Sequence, residues 1–410
     1  MRSALDSPFS PGSDTIPQIW AGRSHQMSDW RDVLRPRRIA GIHERGRTIL
    51  GESGSGKSSL VRKILRDAAE MGDWTTPQLR IPTGTDPLKR VATALLDLSA
   101  IAGLPSRREQ RISHALRHVE SVAISGVSLS LRHSEGPEPY TALTELLIEI
   151  SRAALREEEK MVLLHLDEVQ NIDDEKTRSQ LLIALGDALT HEELVHSPAG
   201  HDFYRSLPLA VFLTGLPEFA DMANGLTGAT FARRFATTTL RPLDDASLLS
   251  ALQPFVTEGW PIITSNGEEN FVFMEPSAQK LIIRLACGEP FLFQLAGERA
   301  WFAGSGPIIT EEEVRKGWES AKDEAQSHVQ RILDRLPERE LEFLHTMAQL
   351  PKDARTLKTI AAEMGLKKST DAGTTARRLE INRGIIERGT LYHFQHRAIE
   401  AYLTSTWPRI

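Results

Sequence analysis

The first 240 residues alternate between short apolar runs and segments with helical periodicity. Three segments predict buried strands of a sheet: 47–50, 161–166 and 207–213. Three others carry apolar side chains at helical spacing: 58–65, 87–101 and 141–155. This alternation of strands and helices predicts an α/β fold with a parallel sheet.

A different pattern occupies residues 121–131, where apolar and small polar residues alternate with period two. Period two is typical of a strand or hairpin with one face in solvent. We interpret this stretch as an insertion beside the parallel core.

Beyond residue 243 the pattern is mostly helical. A helical segment at 275–301 is interrupted by Gly288-Glu289-Pro290, and residues 311–333 predict a long charged helix. Three further helices follow, with Gly365 between the second and third, and then two short strands around Arg388-Gly389. This order of elements predicts a winged helix-turn-helix at the C-terminus.

The third of these C-terminal helices and its approach carry the side chains that could meet DNA phosphates or bases: Lys367, Lys368, Thr374, Arg377 and Arg378. From residue 336 to 410 there are 12 lysines and arginines against 9 aspartates and glutamates. This mild positive balance permits contact with double-stranded DNA through 367–393. A winged helix that contacts protein is the alternative.

Residues 51–58 match the phosphate-binding pattern G-x-x-x-x-G-K-[ST] at every fixed position. Glycines let backbone N–H groups turn toward a polyphosphate, Lys57 supplies a positive charge, and Ser58 offers a hydroxyl to Mg²⁺. The following helix directs its positive end at the anion. The alternative, a Gly/Ser turn without a ligand, is disfavoured by the flanking strand and helix. The residues assigned to ATP are Gly51, Glu52, Ser53, Gly54, Ser55, Gly56, Lys57, Ser58 and Ser59.

Two adjacent carboxylates, Asp167 and Glu168, follow the apolar strand at 161–166. Open α/β sheets bind ligands at the carboxyl ends of their strands. Asp167 is therefore expected to hold Mg²⁺, and Glu168 to polarise the attacking water as a general base. Thr214 ends another buried strand and is expected beside Asp167, within reach of the γ-phosphate or the water. The alternative for the two carboxylates is a solvated turn.

Two adjacent arginines, Arg233 and Arg234, precede a further strand-like segment. One of them is a candidate arginine finger that reaches the γ-phosphate of a neighbouring subunit. A surface ion pair is the alternative for at least one. Upstream of the phosphate loop, the apolar segment around Gly22-Arg23 either covers the adenine or packs against the first strand.

The composition is that of a globular protein. The 410 residues are 40% hydrophobic and 25% charged, with a net charge of −6 and a single cysteine, Cys287, in an apolar helical run. A buried structural thiol is expected there. No apolar run approaches 18 residues and no secretory signal pattern opens the sequence, so we expect a cytoplasmic location and no membrane contact.

Taken together, these motifs resemble the AAA+ ATPases of the bacterial group close to STAND signalling ATPases and to archaeal origin-initiator ATPases. The resemblance covers residues 17–403. It rests on the lead-in box 19–23, the phosphate loop, the Walker B segment 166–170, the sensor 1 segment 213–217 and the lid sequence 288–291.

The resemblance implies a P-loop core whose five parallel strands have the order 5-1-4-3-2, with ATP and Mg²⁺ at its carboxyl edge. It implies catalytic roles for Lys57, Thr214, Glu168 and an arginine at 233 or 234, and places Gly22, Arg23 and Pro290 at the nucleotide. The expected division is a flexible tail (1–16), the AAA+ core (17–242), a helical lid with a connecting helix (243–335) and the winged helix-turn-helix (336–410).

The function that the resemblance implies is ATP hydrolysis by a switch protein, whose nucleotide state controls homo-oligomerisation and the contacts of the winged helix with DNA. The chain departs from many AAA+ proteins at Pro290-Phe291, where those proteins carry a sensor 2 arginine; slow hydrolysis is therefore expected. The alternative is an ATP-dependent adaptor or loader of a mobile-element or phage-defence system that acts through a protein partner, with slow or negligible hydrolysis.

Overall fold

A computed structural model gives the fold and describes residues 2–12, 15–101, 139–157, 160–196, 201–223, 233–263 and 267–410. The chain divides into two compact units. The first comprises Met1–Arg23, Gly51–Ser59 and Thr239–Ile410, and the second comprises Ser24–Leu50 and Leu60–Thr238. The predicted strand or hairpin at 121–131 lies outside the described residues.

Among its described residues, the second unit contains these strands, the last of which ends one residue into the first unit: β1 (Gly46–Leu50), β2 (Trp74–Thr75), β3 (Leu79–Arg80), β4 (Val162–Asp167), β5 (Glu192–His196), β6 (Asp202–Ser206), β7 (Leu209–Gly215) and β8 (Phe235–Thr239). Its described helices are α1 (Ser24–Ser28), α2 (Arg35–Ile39), α3 (Lys57–Glu70), whose first three residues belong to the first unit, α4 (Pro87–Ile101), α5 (Pro139–Arg156), α6 (Glu175–Thr190) and α7 (Phe219–Ala223). A π-helical segment, Asp29–Leu34, joins α1 to α2.

Six of these strands form one sheet, in the order β2-β4-β7-β1-β8, with β3 also paired to β4. β2 pairs with the first half of β4 and β3 with its second half, both in parallel, so β2 and β3 together occupy one strand position. We number the five positions in chain order as β1, β2 with β3, β4, β7 and β8. The order in space, read from β8, is then 5-1-4-3-2, so the predicted order is confirmed. The sheet has the P-loop AAA+ arrangement. β5 and β6 form a separate antiparallel hairpin.

In β4 and β7, polar and apolar residues do not alternate, and the burial of both strands explains why. Every residue of both strands is buried, as expected for central parallel strands covered on both faces. Helices α4, α5 and α6 contribute Leu95, Leu147 and Leu185 to the same apolar core. This packing fixes the carboxyl ends of β4 and β7, which pair in parallel register from Val162↔Leu209 onward.

The first unit begins, after the N-terminal segment and the phosphate loop, with α8 (Asp245–Leu252), α9 (Pro254–Thr257), β9 (Trp260–Ile263), β10 (Glu269–Met274), α10 (Pro276–Ala286), α11 (Pro290–Phe302), β11 (Ile308–Ile309) and α12 (Glu311–Leu333). The predicted lid is purely helical, whereas the structure also contains a three-stranded sheet, β11-β10-β9. Buried and exposed residues alternate along most of β10, which is a period of two and not of a helix.

The C-terminal part of this unit consists of α13 (Glu338–Gln349), α14 (Leu357–Glu363), α15 (Thr370–Ile381), β12 (Ile386–Glu387), β13 (His393–Phe394) and α16 (Arg397–Thr404). β12 and β13 pair in antiparallel register. Three helices followed by two short strands is the order of elements that the sequence predicts here.

The N-terminal segment differs from the flexible tail expected at 1–16. The Arg2 side chain donates hydrogen bonds to four carbonyl oxygens between residues 301 and 308 and pairs with Glu313 at 2.8 Å. Phe9 is 2% exposed and stacks on Phe255, with ring centroids 5.8 Å apart. Trp301 also donates to the Ser3 carbonyl, and the Ser10 N–H donates to Gln294. These are isolated contacts, and a sequence without periodicity gives no signal of them.

Candidate functional site

The phosphate loop joins β1, which ends at Leu50, to α3, which begins at Lys57. Gly54 and Gly56 have φ angles of +79° and +84°, in the left-handed region that favours glycine. Lys57 is 8% exposed, and its Nζ donates to the carbonyl oxygens of Gly51 at 2.9 Å and Glu52 at 3.0 Å. The lysine side chain therefore lies inside the loop.

Residues from two other segments of the first unit hold this loop. Arg23 donates one hydrogen bond to the Ser55 carbonyl at 3.0 Å and another to Arg241 at 2.9 Å. The backbone N–H of Phe291, at the start of α11, donates to the Gly54 carbonyl at 3.2 Å. A Cβ on Gly56 would lie 3.8 Å from the ring of Pro290. The predicted residues Arg23 and Pro290 thus lie against the loop.

Gly22 serves the same region through its backbone. Its φ is +62°, and a Cβ at this position would lie 2.8 Å from Leu243 and 3.3 Å from the Ser247 hydroxyl. This close approach leaves room only for glycine. The backbone turn at Gly22 positions the next residue, Arg23.

The loop has the features that a bound polyphosphate requires. Left-handed glycines at 54 and 56 redirect the backbone of the loop. The Ser55 hydroxyl is buried and has no hydrogen-bond partner within the described part of the chain. Together with the ammonium group of Lys57 inside the loop, these features fit the phosphates of ATP.

Two residues near the loop were not found from the sequence. Arg335, after the end of α12, pairs with the Glu52 carboxylate at 2.5 Å. His328, on α12, packs against the Phe291 ring with centroids 4.7 Å apart and the rings tilted by 36°, and a Cβ added at Gly54 would lie 2.6 Å from its Cε1. Glu52 and Arg335 are 283 residues apart in the sequence, so no local pattern could have indicated this pairing.

A buried charged cluster surrounds Glu289, immediately before α11. Its carboxylate lies 3.1 Å from His396 and 4.0 Å from His328. Burial opposes its ionisation, but His396, His328 and Arg23 together hold the pKa of Glu289 below its usual value. Burial lowers the pKa of Arg23 to about 10, so this guanidinium stays charged at neutral pH. Burial also lowers the pKa of His396, although the nearby Glu289 opposes that shift.

The second unit brings Asp167 and Thr214 together where β4 and β7 end. Thr214 Oγ1 donates to Asp167 Oδ1 at 2.5 Å, and His165 Nε2 lies 2.8 Å from the same hydroxyl. Gln78 donates to the other carboxylate oxygen of Asp167 at 2.5 Å. The predicted neighbourhood of Thr214 and Asp167 is present, and Gln78 is an addition that the sequence did not indicate.

Glu168 lies next to this cluster in a left-handed conformation, with φ +59°. Left-handed backbone at a residue other than glycine is uncommon and occurs often at functional sites. The Gln170 amide N–H₂ donates to the Glu168 carboxylate, and the Gln170 amide oxygen accepts the backbone N–H of Leu216 at 3.0 Å. Gln170 therefore ties the glutamate to the end of β7.

The two candidate finger arginines differ in their surroundings. Arg234 forms an ion pair with Asp187 at 2.7 Å, and its side chain lies against Gly186. Arg233 is exposed and forms no salt bridge with the described residues. The surface ion pair considered as the alternative is thus present for Arg234.

The C-terminal helix α15 buries Ala372, Ala376 and Leu379. The candidate DNA-contacting residues on and before this helix are all exposed: Lys367, Lys368, Thr374, Arg377 and Arg378. Nearby, Arg388 pairs with Glu380 at 2.6 Å. Arg377 and Arg378 lie on the solvent-exposed side of α15, where they are accessible to an anionic ligand.

Comparisons with known proteins agree with this architecture. Residues 19–196 match the model of the AAA ATPase domain. The fold is similar to that of a Walker-type ATPase, PABY2304 of Pyrococcus abyssi, with 16% identity, coverage of 94% of this chain and 96% of that chain, and a TM-score of 0.53. It is also similar to the ORC2 protein of Aeropyrum pernix in ADPNP–ADP complexes, with 16% identity, coverage of 96% and 95%, and a TM-score of 0.53.

Identities this low establish the fold alone. A comparison with curated proteins gives no match. Among the helices that the structure describes, none has the length and apolar character needed to cross a membrane.

Proposed function

We propose that the chain is a nucleotide-driven switch. It binds ATP with Mg²⁺ and hydrolyses it, and its nucleotide state controls oligomerisation and the contacts of its C-terminal domain with DNA. The observation that carries this proposal is the oriented cluster of Asp167, Thr214, Glu168 and Gln170 in a chain that also has a complete phosphate loop. The match of residues 19–196 to the AAA ATPase domain supports it.

In this proposal the backbone N–H groups of 51–59 and the Lys57 ammonium bind the phosphates. Gly22, Arg23 and Pro290 support the loop. The Ser58 hydroxyl and the Asp167 carboxylate would hold Mg²⁺, which would neutralise charge on the phosphates.

Glu168 is the general base. Its carboxylate accepts a proton from the attacking water, and the Gln170 amide keeps it oriented at the end of β4. Thr214 fixes the Asp167 carboxylate through its hydroxyl and is itself held by His165. The carboxylates thereby hold one geometry before any substrate arrives, which lowers the reorganisation that the reaction requires.

The Glu168→Gln variant tests the hydrolytic role. It keeps the shape and the amide contact of the side chain but cannot accept the proton, so turnover falls at least about tenfold while ATP binding persists. Asp173→Asn removes an exposed carboxylate five residues away and is the matched control. Phosphate release equal to that of the native chain in Glu168→Gln would show that another group is the base.

For DNA, we propose that residues 336–410 form a winged helix-turn-helix whose α15 faces the duplex. Arg377→Ala with Arg378→Ala should weaken binding to a duplex and reduce the slope of log affinity against log salt by about two. Arg331→Ala, on the exposed side of α12, removes one charge elsewhere and serves as the control. Unaltered affinity and slope in the double variant would exclude α15 as the contact.

For oligomerisation, we propose Arg233 as the finger, because Arg234 is engaged with Asp187. Arg233→Ala should retain ATP binding and assembly but lose turnover, and Arg234→Ala is the comparison. The mass of Glu168→Gln in solution, with ADP and then with ATP and Mg²⁺, tests assembly directly. A monomer with both nucleotides would remove the finger.

A specific observation favours the second candidate, an adaptor that acts through a protein partner. The small sheet β11-β10-β9 exposes apolar side chains, among them Ile263 at 73%, Phe271 at 44% and Ile308 at 48%. Exposed apolar surface is frequent where proteins bind other proteins. A chain that hydrolyses ATP slowly and shows no salt-dependent affinity for duplex DNA would favour this candidate.

A further inference from the structure

We propose that Arg335 is a positioning residue of the nucleotide site: it neutralises the Glu52 carboxylate in the phosphate loop and so sets the affinity of the loop for phosphate. The inference rests on the proposed nucleotide binding and adds a control of it. Its basis is the Glu52–Arg335 ion pair, in which Arg335 Nη2 lies 2.5 Å from Glu52 Oε2.

The first step of the argument is the charge of the loop. Glu52 is the second residue of the phosphate-binding pattern, and its side chain is 5% exposed. A buried carboxylate within a loop that must receive a polyphosphate repels that ligand, because little water is present to screen the two negative charges. A positive charge in contact with Glu52 removes most of this repulsion.

The second step is the position of Arg335. It lies in the short turn between the end of α12 at Leu333 and the start of α13 at Glu338, the first helix of the C-terminal part. Its side chain is 32% exposed, so the pair is only partly protected from solvent and salt. The turn carries the positive charge that neutralises Glu52, so the net charge at the phosphate loop depends on the position of this turn.

The third step separates this role from direct phosphate binding. In the native chain the pair has no net charge, in Arg335→Ala it has one negative charge, and in Glu52→Gln it has one positive charge. The double variant has no net charge again. If Arg335 acts through Glu52, the affinity for nucleotide falls when the pair is negative, rises when it is positive, and is native when it is neutral. If Arg335 binds phosphate itself, the double variant binds as weakly as Arg335→Ala.

The experiment measures the Kd of ADP with Mg²⁺ by calorimetry for the full chain and its three variants. We expect Arg335→Ala to bind about five- to tenfold more weakly, Glu52→Gln to bind more tightly than the native chain, and the double variant to return close to the native Kd. Arg335→Lys should restore most of the loss. Raising the salt concentration should reduce the effect of Arg335→Ala.

Arg339→Ala is the matched control, since it removes an exposed arginine four residues further on. Thermal melting of each variant shows that the chain stays folded. Equal Kd values in Arg335→Ala and the native chain, or a double variant as weak as Arg335→Ala, would overturn the inference alone. Failure of the native chain to bind ADP and ATP would overturn the proposed function together with the inference.

Discussion

Adding one methyl group at Gly54 tests the packing of the phosphate loop against α11 and α12. The Gly54→Ala side chain would lie 2.6 Å from His328 Cε1 and 2.9 Å from Phe291 Cβ, both closer than real Cβ contacts. The backbone there also has φ +79°, which alanine tolerates poorly. Two independent penalties therefore add at this position.

The matched control is Gly365→Ala. Gly365 belongs to the same compact unit and has φ +70°, but a Cβ at this position meets no atom within 4 Å. The left-handed backbone alone costs about 1–2 kcal/mol. Overpacking against two side chains at Gly54 adds about 1–3 kcal/mol, so Gly54→Ala should lose about 2–5 kcal/mol.

Urea unfolding followed by tryptophan fluorescence measures both losses, and nucleotide binding is measured on the same samples. His328→Ala supplies the second arm, because in that background only the contact with Phe291 remains and the cost of Gly54→Ala should fall toward that of Gly365→Ala. Equal free energies of unfolding for Gly54→Ala and Gly365→Ala would refute the packing of α12 against the loop.

Three further outcomes follow from other contacts. Phe9→Ala should lower the free energy of unfolding by about 3 kcal/mol in urea titrations, whereas Leu5→Ala, which alters a side chain 97% exposed, should change it by less than about 0.5 kcal/mol. Gln170→Ala should lower kcat by about tenfold with little change in nucleotide Kd, because it releases the Glu168 carboxylate and leaves the phosphate loop unaltered. An unchanged kcat would show that this amide is dispensable. Folding lowers the pKa of His396 from 6.5, so the unfolded chain takes up a proton on this residue first as the pH falls. The free energy of unfolding should therefore decline below about pH 6.5, and His396→Gln should flatten that decline. Equal slopes in the native chain and the variant would assign the decline to other groups.

Local patterns predicted the sheet, and they indicated the two motifs that we assign to nucleotide binding. The buried runs ending at Leu50, Asp167 and Gly215 are continuous in sequence, and a parallel sheet places their ends together. Thr214 could be placed beside Asp167 for this reason. The catalytic and nucleotide-binding roles of these residues remain predictions.

The contacts that sequence analysis missed share one property: they join distant segments through single side chains. Arg335 meets Glu52 across 283 residues, and Arg2 meets Trp301 across 299. Gln170 is closer to its partners, but its importance follows from a hydrogen bond to Leu216 that periodicity does not encode. Such contacts follow from the tertiary fold and leave no repeating pattern.

The membership of Gly51–Ser59 in the compact unit that also contains Thr239–Ile410 affects how this protein can be dissected. A recombinant fragment that stops at residue 242 would retain the whole phosphate-binding sequence. It would nevertheless lack Phe291 and Arg335, which bond to the loop, and His328, which packs against Phe291 beside Gly54. A weak nucleotide affinity measured on such a fragment would report the removal of these supports, and not the affinity of the native loop.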